Sequence, residues 1–262
     1  MAKRTGVFFL TLMAFTVAAQ ADDWDRTYQV QGRPRMVVEA DDGNVTVDSG
    51  KNGSVHMSVH SEGWRIAPDE IDVRARQDGN HVELTLRKRT TGLQVHFSAS
   101  LDIHITLPAG SDIEIRTRDG NLRINGIEGT QKLRSGDGNA EVRGVEGSVD
   151  LDTGDGNIFV DGRFDALSLS TGDGNIHAVV RSGSAMSSAW SLHTGDGNIS
   201  LTLPANLAAD VEAHTGDGHV RSDIPIATSR TPERDNDLRG KINGGGQVLT
   251  VRTGDGDIEI GR

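Results

Sequence analysis

The phrase Thr-Gly-Asp-Gly-Asn, present at Thr153, Thr171 and Thr194 and with small changes at Ser135, Thr215 and Thr253, constrains this chain more than any other feature. Asp119, Asp137, Asp155 and Asp173 are each 18 residues apart, and the gaps onward to Asp196, Asp217 and Asp255 are 23, 21 and 38. Bare Asp-Gly-Asn also occurs at Asp42 and Asp78, separated by 36, or twice 18. A fixed internal period marks an architecture of stacked units, none of which can bury its apolar face alone. Apolar residues alternate with polar ones around each turn: Val149, Leu151, Thr153 and then Ile158, Val160; Leu167, Leu169, Thr171 and then Ile176, Ala178. The same pattern returns at Trp190 to Leu201 and at Leu249 to Ile260. Such alternation puts one face of a strand inside and one outside, and no sustained helical period competes with it.

Strands joined by tight turns could be antiparallel hairpins or the rungs of a parallel stack. Asp-Gly and Asn-Gly pairs favour hairpins locally, but a sandwich of hairpins has no reason to repeat one turn at a fixed interval. A stack has that reason, because each corner then faces the same corner about 4.8 Å above and below. The expected fold is therefore all-β: a parallel β-solenoid, right-handed and β-helix-like, with rungs of about 18 residues, since parallel crossovers are overwhelmingly right-handed. Composition agrees, with aromatics only 4% and 33 glycines in 262 residues, leaving Val, Ile and Leu to fill a core.

The domain reading follows the phrase. Residues 1–21 read as a signal peptide: Lys3 and Arg4, an apolar run from Val7 to Ala18, and a small-x-small site at Ala19-Gln20-Ala21. That run is too short for a membrane-spanning helix, and no later segment is a candidate. Residues 22–100 form an N-terminal β segment that caps the solenoid, and 101–262 form the solenoid itself. A soft internal boundary falls near 182–188, and a long loop occupies 225–246. Between the two copies of Leu-Pro-Ala, at Leu107 and Leu203, lies an internal echo that suggests two similar segments.

In the corners, Gly136 and Gly138, Gly154 and Gly156, Gly172 and Gly174, and Gly195 and Gly197 are expected to allow backbone that a Cβ forbids. Asn139, Asn157, Asn175 and Asn198 can form an amide ladder from rung to rung, and the inward Thr171 can satisfy a corner amide. The aspartates are harder to place. Carboxylates about 4.8 Å apart repel by roughly 0.9 kcal/mol per pair even in water. One offset is hydration plus backbone N–H donors within the same turn. The other is Ca²⁺ held between corners, with Asp137, Asp155, Asp173, Asp196 and Asp217 as candidate ligands. The nine-residue calcium β-roll phrase has two turns where this chain has one, and its aspartate sits elsewhere.

Other chemistries find little to hold. TGDGNI is followed by a strand rather than a helix and has no Gly-Lys-Ser/Thr, so it is neither a dinucleotide fingerprint nor a P-loop. His193 and His214 share a repeat position and are expected on adjacent rungs, as solvated side chains. His56 and His60 lie four strand residues apart, roughly 13 Å, too far for one metal ion. The chain has no cysteine, hence no disulfide framework and no lipid attachment at a cleaved cysteine. No Gly-x-Ser-x-Gly nucleophile motif stands out, and Arg87-Lys88-Arg89 reads as a solvated edge guard. No catalytic residue and no cofactor are expected. Loss of Lys3 and Arg4 with the signal leaves 25 basic against 38 acidic residues, a net charge of −13. Such a surface repels nucleic acid and anionic lipid.

Residues 100–129, SLDIHITLPAGSDIEIRTRDGNLRINGIEG, the SGDGN and TGDGN rungs, and the closing LRGKINGGGQVLTVRTGDGDIEI at 238–260 resemble the bacterial putative-adhesin domains, a β-strand-repeat family of unknown function. The resemblance covers roughly residues 30–262 and implies a β-helical protein of the cell envelope, with no catalytic residues to transfer. The expected function is that of a non-enzymatic exported protein, periplasmic or extracellular, which binds an envelope protein or polysaccharide or acts as a scaffold. Two alternatives stand beside it. One is a polysaccharide-processing enzyme, which would show acidic and basic side chains converging in a groove; the outward column Arg116, Arg134, Asp152, Ser170, His193, His214 and Arg252 is where to look. The other is a partner-binding regulator of envelope stress that engages the 225–246 loop.

Overall fold

Period-two burial governs the computed structural model, which describes residues 21–89, 99–228 and 235–262. The expected signal peptide therefore lies, apart from Ala21, outside the described residues. Twenty strands make an all-β fold of mixed orientation, with no helix among the described residues. At a Gly-Asp-Gly-Asn corner the flanking strands do not pair with each other. They pair with the equivalent strands of the rungs before and after, so two parallel ladders run side by side.

The first ladder holds the strands that lead into the corners. In spatial order these are β6 (His81–Lys88), β2 (Arg35–Ala40), β8 (Asp112–Asp119), β10 (Glu128–Asp137) and the second halves of β11 (Ala140–Asp155) and β12 (Ile158–Asp173). They are followed by β14 (Trp190–Asp196), β19 (Val248–Asp255) and β16 (Ala209–Asp217). The second ladder holds the strands that leave the corners. Its order is β7 (Ser100–Pro108), β3 (Asn44–Gly50), β9 (Leu122–Asn125), the first halves of β11 and β12, β13 (Ile176–Val180), β15 (Ile199–Thr202), β20 (Ile258–Gly261) and β17 (Val220–Ser222). Pairs such as Asp137↔Asp155, Asp155↔Asp173 and Asp173↔Asp196 are in register. Spacing along the chain has become a column in space.

Antiparallel strands cover three of the four ladder ends, while β17 pairs only with β20 among the described residues. Strand β1 (Ala21–Gln29) lies on β4 (Ser54–Glu62), β4 on β7, β5 (Ile71–Asp78) on β6, and β18 (Asp237–Ile242) on β16. An end rung would otherwise present open backbone groups to other chains. Here the purely parallel expectation needs correction: the turn at Asp78-Gly79-Asn80 is an ordinary hairpin between β5 and β6, with Gly79 at φ 58°. The Asp42 turn, by contrast, belongs to the stack, and Gly43 bonds to Asp119 of the neighbouring rung. The 36-residue spacing between them is coincidental. Within the expected loop at 225–246 the chain forms β18, while residues 229–234 lie outside the described residues.

The core is the strip between the two ladders. Ile115, Leu133, Leu151, Leu169, Leu192, Val251 and Ala213 stack on one side, and Leu122, Ala140, Ile158, Ile176, Ile199 and Ile258 on the other, all buried. Each aliphatic side chain of this kind contributes roughly 1.5–3 kcal/mol when fully buried. Where the period lengthens at 182–188, Phe164 and Trp190 fill the wider cross-section edge to face at 6.5 Å. Both ladders continue across that segment, through β12–β14 and β13–β15.

Candidate functional site

Each corner is built by three side-chain positions and two glycines. The second glycine carries positive φ throughout, 140° at Gly138, 149° at Gly156, 151° at Gly174 and 139° at Gly197. The first glycine does not, and it is required instead by close stacking: a Cβ at Gly154 would stand 2.6 Å from the carbonyl oxygen of Gly136, and one at Gly136 2.4 Å from that of Arg118. At Gly172 and Gly195 the same distance is 2.6 Å. The asparagines tie rung to rung. The Asn175 backbone N–H and Nδ2 both donate to Asn157 Oδ1, at 3.0 and 3.1 Å, and the Asn198 N–H donates to Asn175 Oδ1 at 2.9 Å. Asn157 and Asn139 continue the ladder through Asn121 and Asn44 to Asp102. At the other end Asp257 and then His219 replace asparagine.

Thr171 is buried, and its hydroxyl donates to the carbonyl of Gly156 at 2.9 Å rather than accepting from a corner amide. Thr153, Thr194, Thr253 and Thr215 repeat this bond. The corner amides are already satisfied, by asparagine side chains and by bonds such as Gly174 N–H to Asp196 O. Hydroxyl donors are what the crowded carbonyls lack.

The aspartates Asp137, Asp155, Asp173, Asp196 and Asp217 stand at one rim, all exposed. Asp255 lies between Asp196 and Asp217 in the column. Among the described residues these carboxylates accept no side-chain hydrogen bond, so the expected N–H donors within the turn are not there. Nor do three or more His, Asp or Glu side chains converge as a metal ion would need, among the described residues.

On the outer face of the first ladder the column runs Arg116, Arg134, Asp152, Ser170, His193, Arg252 and His214. His193 and His214 are not adjacent, because the last rung of the chain inserts between theirs and places Arg252 there. Beside the column, two residues earlier along the strands, a groove of about 190 Å³ is lined by Arg35, Asp112, Glu114, Thr130 and Lys132. Arg134 pairs with Asp150 at 2.7 Å, and Arg35 and Arg116 converge on Glu114, whose carboxyl they hold below the usual range. A larger polar groove of about 400 Å³ lies at the opposite corner, lined by Arg33, Glu128, Glu146, Ser148, Arg163 and Asp165. Its arginines are engaged, Arg33 with Asp112 at 3.3 Å and Arg163 with Glu146. Arg87, Lys88 and Arg89 are likewise paired rather than merely solvated, with Glu39 and Asp41, with Asp42, and with Asp72. Lys88 also sits 3.9 Å above the Trp64 ring.

The outer face of the second ladder carries a feature that the turn phrase conceals. Phe159 and His177 stack at 5.3 Å with 15° between their planes, and Arg143 lies 4.2 Å from the Phe159 centroid. Their 18-residue spacing was the available signal. Further along, three histidines face acids near the N-terminal edge: His60 with Asp23 at 2.6 Å, His56 with Asp25 at 3.2 Å and His104 with Asp48 at 3.5 Å. The hydrogen bond that His60 Nδ1 donates to the Asp23 carboxylate holds the His60 pKa above the ordinary imidazole value.

Comparison with known proteins identifies a family: the Toastrack DUF4097 description matches residues 34–261. No curated protein matches the chain. Among solved structures, one described as a putative adhesin from Bacteroides fragilis is 14% identical, with a TM-score of 0.51, covering 91% of this chain and 96% of that one. A putative adhesin from Parabacteroides distasonis is 11% identical, with a TM-score of 0.47 and the same coverage. A putative cell adhesion protein from Clostridium sporogenes is 13% identical, with a TM-score of 0.44, covering 91% and 99%.

Proposed function

The chain belongs to the Toastrack DUF4097 family, and from that premise we propose that it is a non-enzymatic exported protein of the cell envelope whose stacked rungs bind an envelope polysaccharide or protein. In this reading the rungs are successive turns of one right-handed solenoid, with the two ladders as two of its faces, and the chain is delivered across the cytoplasmic membrane by the N-terminal signal to work in the periplasm or outside the cell. One observation carries it. Register repeats the same outward positions rung after rung, giving long flat faces suited to an extended partner, with every sizeable apolar side chain but Val248 at least half-buried among the described residues. The description of the Bacteroides fragilis neighbour as an adhesin agrees with binding.

A polysaccharide-processing reading has the groove at Glu128 and Glu146 in its favour. Against it, Arg163 already neutralises Glu146, and fold alone assigns no chemistry. The test is to immobilise the mature protein and expose it to polysaccharide and protein fractions of its own envelope. Retention of one fraction, with no new reducing ends released on incubation, is expected. Absence of retention refutes the binding reading, and release of reducing ends that stops in Glu128→Gln or Glu146→Gln establishes the enzyme.

A further inference from the structure

We propose that the position above Ser200, between the His177 ring and the Glu259 carboxylate, is a subsite for a neutral hexose residue of a glycan. The proposal rests on the polysaccharide-binding form of the function above and names its ligand class. Register places Glu141, Phe159, His177, Ser200 and Glu259 at one outward position of five consecutive rungs. The Arg143 guanidinium, the Phe159 ring and the His177 ring form a stack along this column. It ends at His177, because the next rung offers only serine. With rungs about 4.8 Å apart, His177 and Glu259 are separated by roughly 10 Å, enough for one ring between them.

The chemistry of that position is specific. One wall is the outer face of an exposed imidazole, and the floor is the Ser200 and Thr202 hydroxyls, with half-buried Val179 beside them. The far wall is Glu259, which has no ion pair or hydrogen bond among the described residues, because the nearby Arg221 is directed at Asp257 at 3.7 Å. An aromatic face attracts the positively polarised C–H groups of a sugar ring. The serine, threonine and carboxylate supply the few placed polar groups that fix a hydroxylated ligand. The other neighbouring charges are paired, Arg143 with Glu141 and Arg181 with Asp161, which leaves the Glu259 carboxylate to disfavour an anionic ligand. The acidic surface as a whole disfavours a nucleobase on a polyanion.

The experiment is an NMR titration of the labelled full-length mature protein with the methyl glycosides of glucose, galactose, mannose and N-acetylglucosamine. Saturable shifts confined to His177, Ser200 and Glu259 are expected for at least one glycoside, with Kd of order millimolar, near −4 kcal/mol. His177→Ala removes the platform, and Ser200→Phe fills the position with the protein's own ring. Each is expected to weaken binding about tenfold, or 1.4 kcal/mol, while amide shifts elsewhere report an intact fold. The proposal is overturned if no glycoside shifts these signals, if neither variant weakens binding, or if N-acetyltryptophanamide binds there more tightly than every glycoside. The last result assigns the position to an aromatic side chain of a protein partner. Envelope polysaccharide retained equally by wild type and His177→Ala sinks the subsite alone. Glycoside binding at His177 without any retention of envelope polysaccharide sinks the broader function alone.

Discussion

Four glycine-to-alanine variants separate the two demands that a corner makes on its backbone. At Gly174, φ is 151° and a Cβ would stand 2.2 Å from the carbonyl oxygen of Gly156. At Gly172 φ is unexceptional, but a Cβ would stand 2.6 Å from the Gly154 oxygen. Gly79 has φ 58° with nothing within 4 Å, and Gly110 has neither constraint. Gly110→Ala should change stability little, gaining at most about 0.4–1 kcal/mol by restricting the unfolded chain. Gly79→Ala carries left-handed strain alone, a loss of about 1–2 kcal/mol. Gly172→Ala must push a carbonyl back by about 0.4 Å to reach a 3.0 Å contact, an overpacking loss of about 1–3 kcal/mol. Gly174→Ala needs about twice that displacement and adds about 1–3 kcal/mol of backbone strain, for a loss of roughly 2–6 kcal/mol in all. The Gly156 carbonyl cannot retreat freely, since it also receives the Thr171 hydroxyl. Urea unfolding followed by the fluorescence of buried Trp190 measures the series, with unchanged m-values confirming a common transition. Equal stability of Gly174→Ala and Gly110→Ala refutes the stacking account of the corner.

Asn157→Ala deprives the Asn175 N–H of its acceptor and should cost about 1 kcal/mol, the net worth of such a bond at an exposed site, in the same urea assay. His60 has a raised folded-state pKa. Its contribution is therefore fully present below the unfolded value near 6.5 and is lost as pH rises through the folded one. Amide exchange in β1 should quicken across that window, and Asp23→Asn should flatten the response. Glu114 and Glu141 have lowered values, set first by Arg35 and by Arg143 respectively. Their contributions should persist above the ordinary carboxylate range and fade as pH falls through the folded values, a loss of thermal midpoint that Glu114→Gln reduces. Truncation after Gly246 removes the rung that separates β14 from β16. Hydrogen exchange should then report lost protection in β16–β18 with β8–β12 retained.

What could be read in the sequence was the part in which neighbours are equivalent. Alternation around Thr153, Thr171 and Thr194 fixes which side chains face inward, and a constant interval fixes what lies above and below them. The asparagine contacts follow from those two facts without further information. The distinction between the glycines did not follow: Gly172 and Gly174 look alike in the phrase, yet only one needs positive φ. That difference depends on how closely carbonyls approach between rungs, which no single rung reveals. Alternation predicts the inner face for Thr171, but its bond runs the other way from the one the turn predicts, because the partner in need is a carbonyl on the neighbouring rung. Phe159 and His177 were as regular as the turn, but they lie outside the phrase that draws the eye. The groove at Arg33, Glu128 and Arg163 joins residues more than a hundred positions apart, and no periodic signal connects its two sides.

The order of the rungs was the least legible property, and the reason is the repeat itself. Leu192, Val251 and Ala213 occupy successive places in one apolar ladder, although the chain reaches them in the order 192, 213, 251. Any rung of this phrase presents the same threonine, glycine and apolar positions to its neighbours, so the phrase defines a place in the stack without defining whose place it is. What decides is the segment outside the phrase. After β17 the chain turns back, β18 pairs antiparallel along the outer edge of β16, and the short link from Asn243 to Gln247 delivers β19 to the inner edge. Asn243 at φ 49° and Gly244 and Gly245 at φ 91° and 88° make that reversal. Strand β16 is thus held between two strands that come later in the sequence, β18 and β19, and its rung joins the stack through β19. The 38-residue gap before Asp255 is the length of chain that such an insertion consumes, and an irregular interval in a regular repeat is the mark by which it could have been foreseen.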